Sequence, residues 1–188
     1  MSPVHNDVHS VRRLTAADIK SLLVIRREAL VSEPAAFSSS PASDRALDPE
    51  FLRISLVSQA VFGAFRGDAL VGMAGVYRHQ TEKERHKAVL WGMYVRSSHR
   101  GVGLGRALLA EAVRLASSMA GVTHLCLSVS DTATSAYRIY EAAGFRTWGV
   151  ESASLLVGGG YVAVRHMVLD LRHTGPRQDA TTVNSKRR

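Results

Sequence analysis

A glycine-rich loop directly before a long amphipathic segment is the feature that most restricts the folds open to this sequence. Residues 100–106 read Arg-Gly-Val-Gly-Leu-Gly-Arg, and apolar residues recur at helical spacing from Leu104 to Met119. Glycine lets the backbone approach an anion closely, and the first amides of a helix have no partner within it. The loop therefore predicts an anion site at a helix start, where two arginines add positive charge.

The spacing of these glycines excludes the two most familiar nucleotide-binding motifs. The dinucleotide motif Gly-x-Gly-x-x-Gly requires glycine where this chain has Arg106, and a P-loop requires Gly-Lys followed by Ser or Thr. The loop also lies past the middle of the chain rather than after the first strand. A different phosphate-bearing ligand is therefore expected.

Length and composition set the class of protein. The 188 residues, 46% of them apolar, suffice for one domain with a full core. The single cysteine, Cys126, excludes an internal disulfide and leaves no partner for a metal site. The sequence shows neither a long apolar run nor a signal peptide, so we expect a cytoplasmic protein that does not bind a membrane.

Part of the net charge of +8 is concentrated near the C-terminus. Residues 171–188 hold five Lys and Arg against one acid and lack apolar periodicity. No aromatic residues alternate with these charges, as they do on many surfaces that bind single-stranded nucleic acid. We predict one domain over residues 1–172, a disordered basic tail over 173–188, and no nucleic-acid partner.

Strand and helix patterns alternate along the domain. The predicted strands cover residues 8–14, 61–66, 70–77, 88–95, 125–129, 145–152 and 162–171. The predicted helices cover residues 15–31, a segment that begins at Asp48, and residues 103–120 and 134–143. The buried face of the third helix is predicted to contain Leu104, Ala107, Leu108, Ala112, Leu115, Ala116 and Met119. This order indicates an α/β protein in which helices cover both faces of a mixed sheet.

Two motifs, in this order, resemble those of the GNAT superfamily of N-acetyltransferases. The loop has the form Arg-x-x-Gly-x-Gly and follows the strand Leu-Trp-Gly-Met-Tyr-Val at residues 90–95. The second motif has the family's spacing at Ala136, Tyr140, Gly144 and Phe145. The resemblance covers about residues 8–170. It implies a mostly antiparallel sheet of six to seven strands, flanked by about four helices and splayed apart at the fourth and fifth strands.

The resemblance also implies an activity and a set of site residues. Acetyl-CoA would be the donor, no metal would be needed, and a primary amine of a small molecule or a protein would attack the thioester directly. A homodimer stays open. Tyr140 would protonate the departing thiolate as general acid. The residues implied to bind CoA are Met93, Tyr94, Val95, Arg100, Gly101, Val102, Gly103, Leu104, Gly105, Arg106 and Tyr140.

The general base is not identified by this resemblance. Several branches carry a carboxylate near the positions of Val89 or Gly92, and many members have asparagine in place of Ala133; this chain has neither. His166 is a candidate base because histidine titrates near neutral pH, although a strand histidine is more often structural. The alternatives are a water chain and five side chains: His79, Glu82, Glu84, Glu28 and Glu33.

The acceptor and the class of function stay open in part. Acids between positions 28 and 50 favour a cationic acceptor, but helix caps and a solvated loop would explain them equally well. A non-catalytic acyl-CoA sensor would keep the glycine loop and tolerate the missing base. A nucleic-acid-binding regulator would depend on the basic tail instead.

Overall fold

Seven strands form one sheet in the order β1-β2-β3-β4-β5-β7-β6. The computed structural model describes residues 9–173, so the tail predicted over 173–188 lies, except for its first residue, outside the described part. Neighbouring strands are antiparallel apart from β4 and β5, which are parallel. The strands are β1 (His9–Arg13), β2 (Ala60–Arg66), β3 (Ala69–Arg78), β4 (Lys87–Val95), β5 (His124–Ser130), β6 (Arg146–Val157) and β7 (Gly160–Asp170).

Four α-helices cover the two faces of this sheet, which confirms the predicted fold class. They are α1 (Ile19–Ser32), α2 (Pro49–Ser58), α3 (Leu104–Ser118) and α4 (Thr134–Ala142). One core cluster joins α3 and α4 to the sheet, and a second joins α1 and α2 to its other face. None of the helices between residues 9 and 173 has the length and hydropathy needed to cross a membrane.

Local signals in the sequence explain where these helices begin. Asp48 accepts hydrogen bonds from the amides of Glu50 and Phe51 and so caps α2, as predicted. The amide of Thr15 donates to Asp18 at 2.8 Å, but residues 16–18 form a 3₁₀ turn and α1 begins only at Ile19. A hydrogen-bonded ion pair with Arg12 holds the pKa of Asp18 well below its usual range.

The buried face of α3 differs from the prediction at one position. Ala107 is exposed, whereas Leu109 is 2% exposed. The buried stripe is centred near Ala112, and at 3.6 residues per turn Leu109 lies about 60° from this centre while Ala107 lies about 140° away. The prediction placed the centre of the stripe too far toward Leu104.

The final hairpin is longer than predicted. β6 continues to Val157 instead of ending near residue 152, and Gly158 and Gly159 form the turn with φ values of +59° and +82°. The pairing of β6 with β7 shifts register between Glu151 and Leu155. Residues 152–154 at this shift read Ser-Ala-Ser, so no regular apolar alternation continues into the outer part of the strand.

Candidate active site

A gap opens in the sheet between the two parallel strands. β4 and β5 pair only from Lys87 with His124 to Val89 with Cys126, and beyond this point their backbones diverge. This confirms the predicted splay. The gap contains a cavity of about 70 Å³ lined by residues 90–93 of β4 and 127–130 of β5, with Ala36 and Phe37 on one side and Ala133, Ala136 and Tyr140 on the other.

A β-bulge in β4 accompanies this divergence. Met73 faces Tyr94 and Gly75 faces Trp91, so two residues of β4, Gly92 and Met93, lie opposite a single residue of β3. Gly92 has φ of +63°, a value that favours glycine. A bulge bends its strand, which turns the rest of β4 away from β5. Glycine within a strand is a known signal for such a bulge, so Gly92 marks this position in the sequence.

The end of β4 turns backbone groups toward the gap. The amide of Arg96 donates to the carbonyl of Val71, so Val95 belongs to a pair that is not hydrogen-bonded to β3. The amide and carbonyl of Val95 therefore face the side from which β5 has departed. Arg100 Nε donates to this carbonyl at 2.8 Å. The Val95 amide is left for a ligand strand, because no backbone or side-chain acceptor pairs with it among residues 9–173.

The glycine loop has the backbone geometry of the anion cradle that its sequence predicts. Gly101 and Gly103 have φ values of +85° and +88°, and α3 begins at Leu104. The first helical hydrogen bond runs from the amide of Ala107 to the carbonyl of Gly103. The amides of Leu104, Gly105 and Arg106 therefore precede the helical ladder, and within the described chain they have no backbone acceptor. Such a helix start favours a bound anion.

The two arginines of the loop have different surroundings. Arg100 bonds Glu33 at 2.8 Å, and its guanidinium lies 5.8 Å from the centre of the Tyr94 ring. Arg106 is exposed and forms no ion pair with any residue from 9 to 173. Arg106 can therefore meet an incoming anion, whereas Arg100 joins the loop to β4 and to the segment after α1. This difference between the two arginines cannot be read from the sequence.

Tyr140 lies at the α4 side of the gap, as the second motif predicts. Its side chain is 6% exposed, lines the cavity and packs against Phe145 with ring centres 5.9 Å apart. Burial raises the pKa of Tyr140 well above its usual range, so the phenol keeps its proton at neutral pH. Its hydroxyl forms no hydrogen bond with another residue in the described range and can donate to a ligand.

His166 is linked to the cavity through a serine. His166 Nδ1 lies 3.0 Å from Ser128 Oγ, and Ser128 lines the cavity. His166 Nε2 lies 3.4 Å from a carboxylate oxygen of Glu151, and the imidazole stacks on Trp148 with ring centres 5.4 Å apart. Neither Ser128 nor Glu151 was predicted, because their proximity to His166 depends on the register of β5, β6 and β7.

Comparison with known proteins decides the family. The model of the acetyltransferase (GNAT) family matches residues 25–145, more than half of the chain. The chain belongs to the GNAT acetyltransferase family. A search of curated proteins finds no sequence that matches this one.

Solved structures share the fold of this GNAT protein. A GNAT acetyltransferase from Streptococcus pneumoniae is 20% identical, with a TM-score of 0.77 over 87% of this chain and 99% of its own. The phosphinothricin acetyltransferase of Sinorhizobium meliloti, solved with acetyl-CoA, is 22% identical, with a TM-score of 0.76 over 93% and 96%. The ribosomal-protein-alanine N-acetyltransferase of Brucella melitensis is 25% identical, with a TM-score of 0.70 over 86% and 99%.

The other candidate bases of this GNAT protein have structural partners or lie elsewhere. Glu28 accepts hydrogen bonds from the Tyr94 hydroxyl at 3.1 Å and from Arg96 Nε at 2.8 Å, and Glu33 pairs with Arg100. Burial is the main cause that raises the pKa of Tyr94. His79, Glu82 and Glu84 belong to the turn before β4, at the paired end of β4 and β5, and none of them lines the cavity.

The acids between positions 28 and 50 do not form a pocket for a cation. Asp44 pairs with Arg26 at 2.5 Å, Asp48 caps α2, and Glu50 pairs with Arg53 at 2.7 Å. These acids therefore cap helices and form ion pairs, and their charges do not favour a cationic acceptor. In the part of the chain that the structure describes, no three His, Cys, Asp or Glu side chains converge on a metal site.

Ala133 lies where the family often has asparagine. It occupies the N-cap position of α4 without a side-chain hydrogen bond, and it lines the cavity. Thr132 does not replace the missing amide directly, because its hydroxyl lies 2.8 Å from Ser130 Oγ. The α4 side of the cavity is therefore less polar in this protein than an asparagine would make it.

Proposed function

We propose that this GNAT protein transfers an acetyl group from acetyl-CoA to a primary amine by direct attack in a ternary complex. One observation carries the proposal. The unpaired amides at the start of α3, the free side of β4 at Val95 and the buried hydroxyl of Tyr140 follow one another along a single gap in the sheet. This order suits a long donor with phosphates at one end and a thioester at the other.

The glycine loop would hold the pyrophosphate of the donor. Amides from Val102 to Arg106 supply the hydrogen bonds, and the free guanidinium of Arg106 adds charge. Gly101 and Gly103 keep the loop in its left-handed conformation, and Arg100 fixes the loop against Val95.

The end of β4 would bind the pantetheine arm in the manner of an added strand. Val95 turns its amide toward the gap, and Met93, two residues earlier, lies beside the bulge at Gly92. Tyr94 contributes backbone pairing with Met73 on the opposite side, while its side chain lies in the core under α1. Tyr94 therefore supports the position of β4 rather than contacting the donor through its ring.

Tyr140 would donate a hydrogen bond to the sulfur as the bond between carbon and sulfur breaks. A free thiol has a pKa of about 8.5 and a free phenol about 10, so a phenol with a raised pKa is the weaker acid in water. The same burial disfavours the thiolate and raises the pKa of the thiol as well. Proton transfer from Tyr140 to sulfur therefore stays feasible inside the cavity.

Ser128, His166 and Glu151 would remove the proton from the attacking amine. The ammonium group of the acceptor loses one proton to Ser128 Oγ, while the hydroxyl proton of Ser128 passes to His166 Nδ1. The free amine then forms a bond to the thioester carbon, the carbon–sulfur bond breaks as Tyr140 protonates the sulfur, and the second proton that the nitrogen gives up returns to the Tyr140 oxygen. Glu151 accepts a hydrogen bond from Nε2 and stabilises the imidazolium that results. The products are an amide and a thiol.

An assay of thiol release tests the proposal. The purified full chain is incubated with acetyl-CoA and a panel of amines that includes amino acids, alkylamines, aminoglycosides and peptides with free N-termini. Release of CoA thiol that depends on the amine, together with an acetylated product by mass spectrometry, is the expected result. Binding of acetyl-CoA without turnover on any amine would favour the sensor, and a lack of binding would overturn both.

A further inference from the structure

A buried arginine lies behind the cavity wall on the side of α1. Arg26 is 6% exposed and belongs to the apolar stripe of α1, together with Leu22, Ile25, Ala29 and Leu30. Its guanidinium lies 4.8 Å from the ring centre of Phe37 and 5.8 Å from that of Trp91, and both of these residues line the cavity. An arginine at this spacing is a visible break in the apolar periodicity of the sequence.

Asp44 occupies only one edge of this guanidinium. Nε and Nη2 donate to the two carboxylate oxygens of Asp44 at 3.4 and 2.5 Å. Nη1 is fully buried and has no hydrogen-bond partner, and the indole Nε1 of Trp91 is the second such nitrogen between residues 9 and 173. A buried N–H group without a partner is costly, especially on a charged side chain. The folded protein therefore keeps donors on this wall that only a ligand or a water can satisfy.

The Nη1 atom of Arg26 lies close to the wall of the cavity. A Cβ atom added at Gly92 would lie 3.6 Å from Nη1, and Gly92 lines the cavity from the bulge of β4. Phe37 covers the guanidinium from the other side and is itself half-buried, on the segment between α1 and α2. At about 70 Å³ the cavity is too small for both substrates, so it must widen when they bind. Movement of the Phe37 ring would uncover the free edge of the guanidinium.

We propose that Arg26 binds a carboxylate on the acceptor, which makes the acceptor an amino acid or a similar small amino carboxylate. A guanidinium is planar and can bind one carboxylate along each of two edges, and here Nη1 with the remaining N–H of Nη2 forms the free edge. Asp44 already offsets the charge of this guanidinium, so a second carboxylate is held by the N–H groups of the free edge. The acids at the end of α1, Glu28 and Glu33, are paired with Arg96 and Arg100. This inference rests on the acetyl transfer proposed above.

A comparison of matched amines tests the inference. The full chain is assayed with L-phenylalanine, L-phenylalanine amide and 2-phenylethylamine, and with the corresponding sets for leucine and glutamate. We expect kcat/KM for the best amino acid to exceed that of its decarboxylated amine by about tenfold or more, the effect of one charge-assisted hydrogen bond. The neutral amide should fall between the two.

Variants then assign this preference to Arg26. Arg26→Lys keeps a positive charge for Asp44 but lacks the second edge, and should lose the preference without changing acetyl-CoA affinity. Arg27→Lys, at the exposed neighbouring position, is the matched control and should keep it. Equal activity on amines with and without the carboxylate in the wild-type protein would refute the inference and leave the acetyltransferase proposal standing. The absence of turnover on every amine would overturn that proposal and the inference together. The wild-type comparison holds even if Arg26→Lys does not fold.

Discussion

Two glycines of the glycine loop, Gly103 and Gly105, should respond in opposite ways to substitution by alanine. Gly103 has φ of +88°, a conformation that costs a residue with a Cβ about 1–2 kcal/mol. No atom lies within 4 Å of a Cβ added there, so the cost comes from the backbone alone. Gly105 lies inside the first turn of α3, where an added Cβ would meet Ile139 at 3.4 Å and Met93 at 3.5 Å, which are ordinary contact distances.

The expected magnitudes follow from these two geometries. Gly103→Ala should either strain the loop or let it rearrange, so that acetyl-CoA binds about tenfold more weakly, the equivalent of about 1.4 kcal/mol. Gly105→Ala should leave affinity nearly unchanged and raise the free energy of unfolding by up to about 1 kcal/mol, because alanine favours a helix over glycine. Gly103→Asn should lie between wild type and Gly103→Ala, since asparagine tolerates the left-handed conformation better than alanine does.

Calorimetric titration with acetyl-CoA and denaturant unfolding measure both quantities on each variant. The ratio of affinities between Gly103→Ala and Gly105→Ala is the decisive value, because the two substitutions add the same methyl group two residues apart. Equal affinities would refute the assignment of a left-handed anion cradle at Gly103. Weaker binding by Gly105→Ala alone would show that close approach of the ligand, not backbone conformation, explains the glycines.

Four further substitutions test the proposed roles. Tyr140→Phe should lower kcat by about 10²–10⁴ with little change in acetyl-CoA affinity, and equal turnover would exclude the general acid. His166→Gln should slow turnover most near neutral pH. The loss of turnover should shrink as the pH rises toward the pKa of the amine, because the free amine then needs no base. A loss of turnover that does not depend on pH would contradict proton transfer through Ser128 to His166. Arg106→Gln should weaken acetyl-CoA binding and its salt dependence without loss of stability, whereas Arg100→Gln should also lower the unfolding midpoint.

The elements that could be predicted from the sequence are those whose signals are local. Apolar periodicity and glycine turns located the strands and helices to within a few residues, and the two motifs located the loop and Tyr140. The outer part of β6 was missed because Ser-Ala-Ser at residues 152–154 interrupts the apolar pattern where the register with β7 shifts. Ala107 was wrongly predicted to be buried because the predicted apolar stripe was centred too far from Ala112, and at 3.6 residues per turn Ala107 lies on the exposed side of α3.

The parts of the site that could not be predicted depend on contacts between distant segments. Ser128, Glu151 and His166 meet because β7 pairs with β5 on one side and β6 on the other, and a shift of one residue in either register would separate them. Arg26 is a different case. Its place within the apolar stripe of α1 was readable, but its pairing with Asp44 was not.

The positions of Tyr140 and Ser128 on the two sides of the gap favour a sequential mechanism, in which both substrates bind before the acetyl group is transferred. Tyr140 comes from the face covered by α3 and α4, whereas Ser128 alternates with Leu127 and Val129, which pack on that face, and so belongs to the opposite face. In the proposed mechanism the acid and the base would therefore act from opposite sides of the sheet, with both substrates in the gap together. Initial rates at varied concentrations of both substrates should give intersecting double-reciprocal lines.

Ser128 offers a second possible reaction path, and the kinetic measurement distinguishes the two. Ser128 is hydrogen-bonded to a histidine that is in turn bonded to a carboxylate, the arrangement that activates a serine nucleophile in acyl transfer. Parallel double-reciprocal lines, or an acetyl group on Ser128 after incubation with acetyl-CoA alone, would show that the serine attacks the thioester itself. Intersecting lines, with Ser128→Ala slowed but still active at high pH, would show that it only carries the proton of the amine.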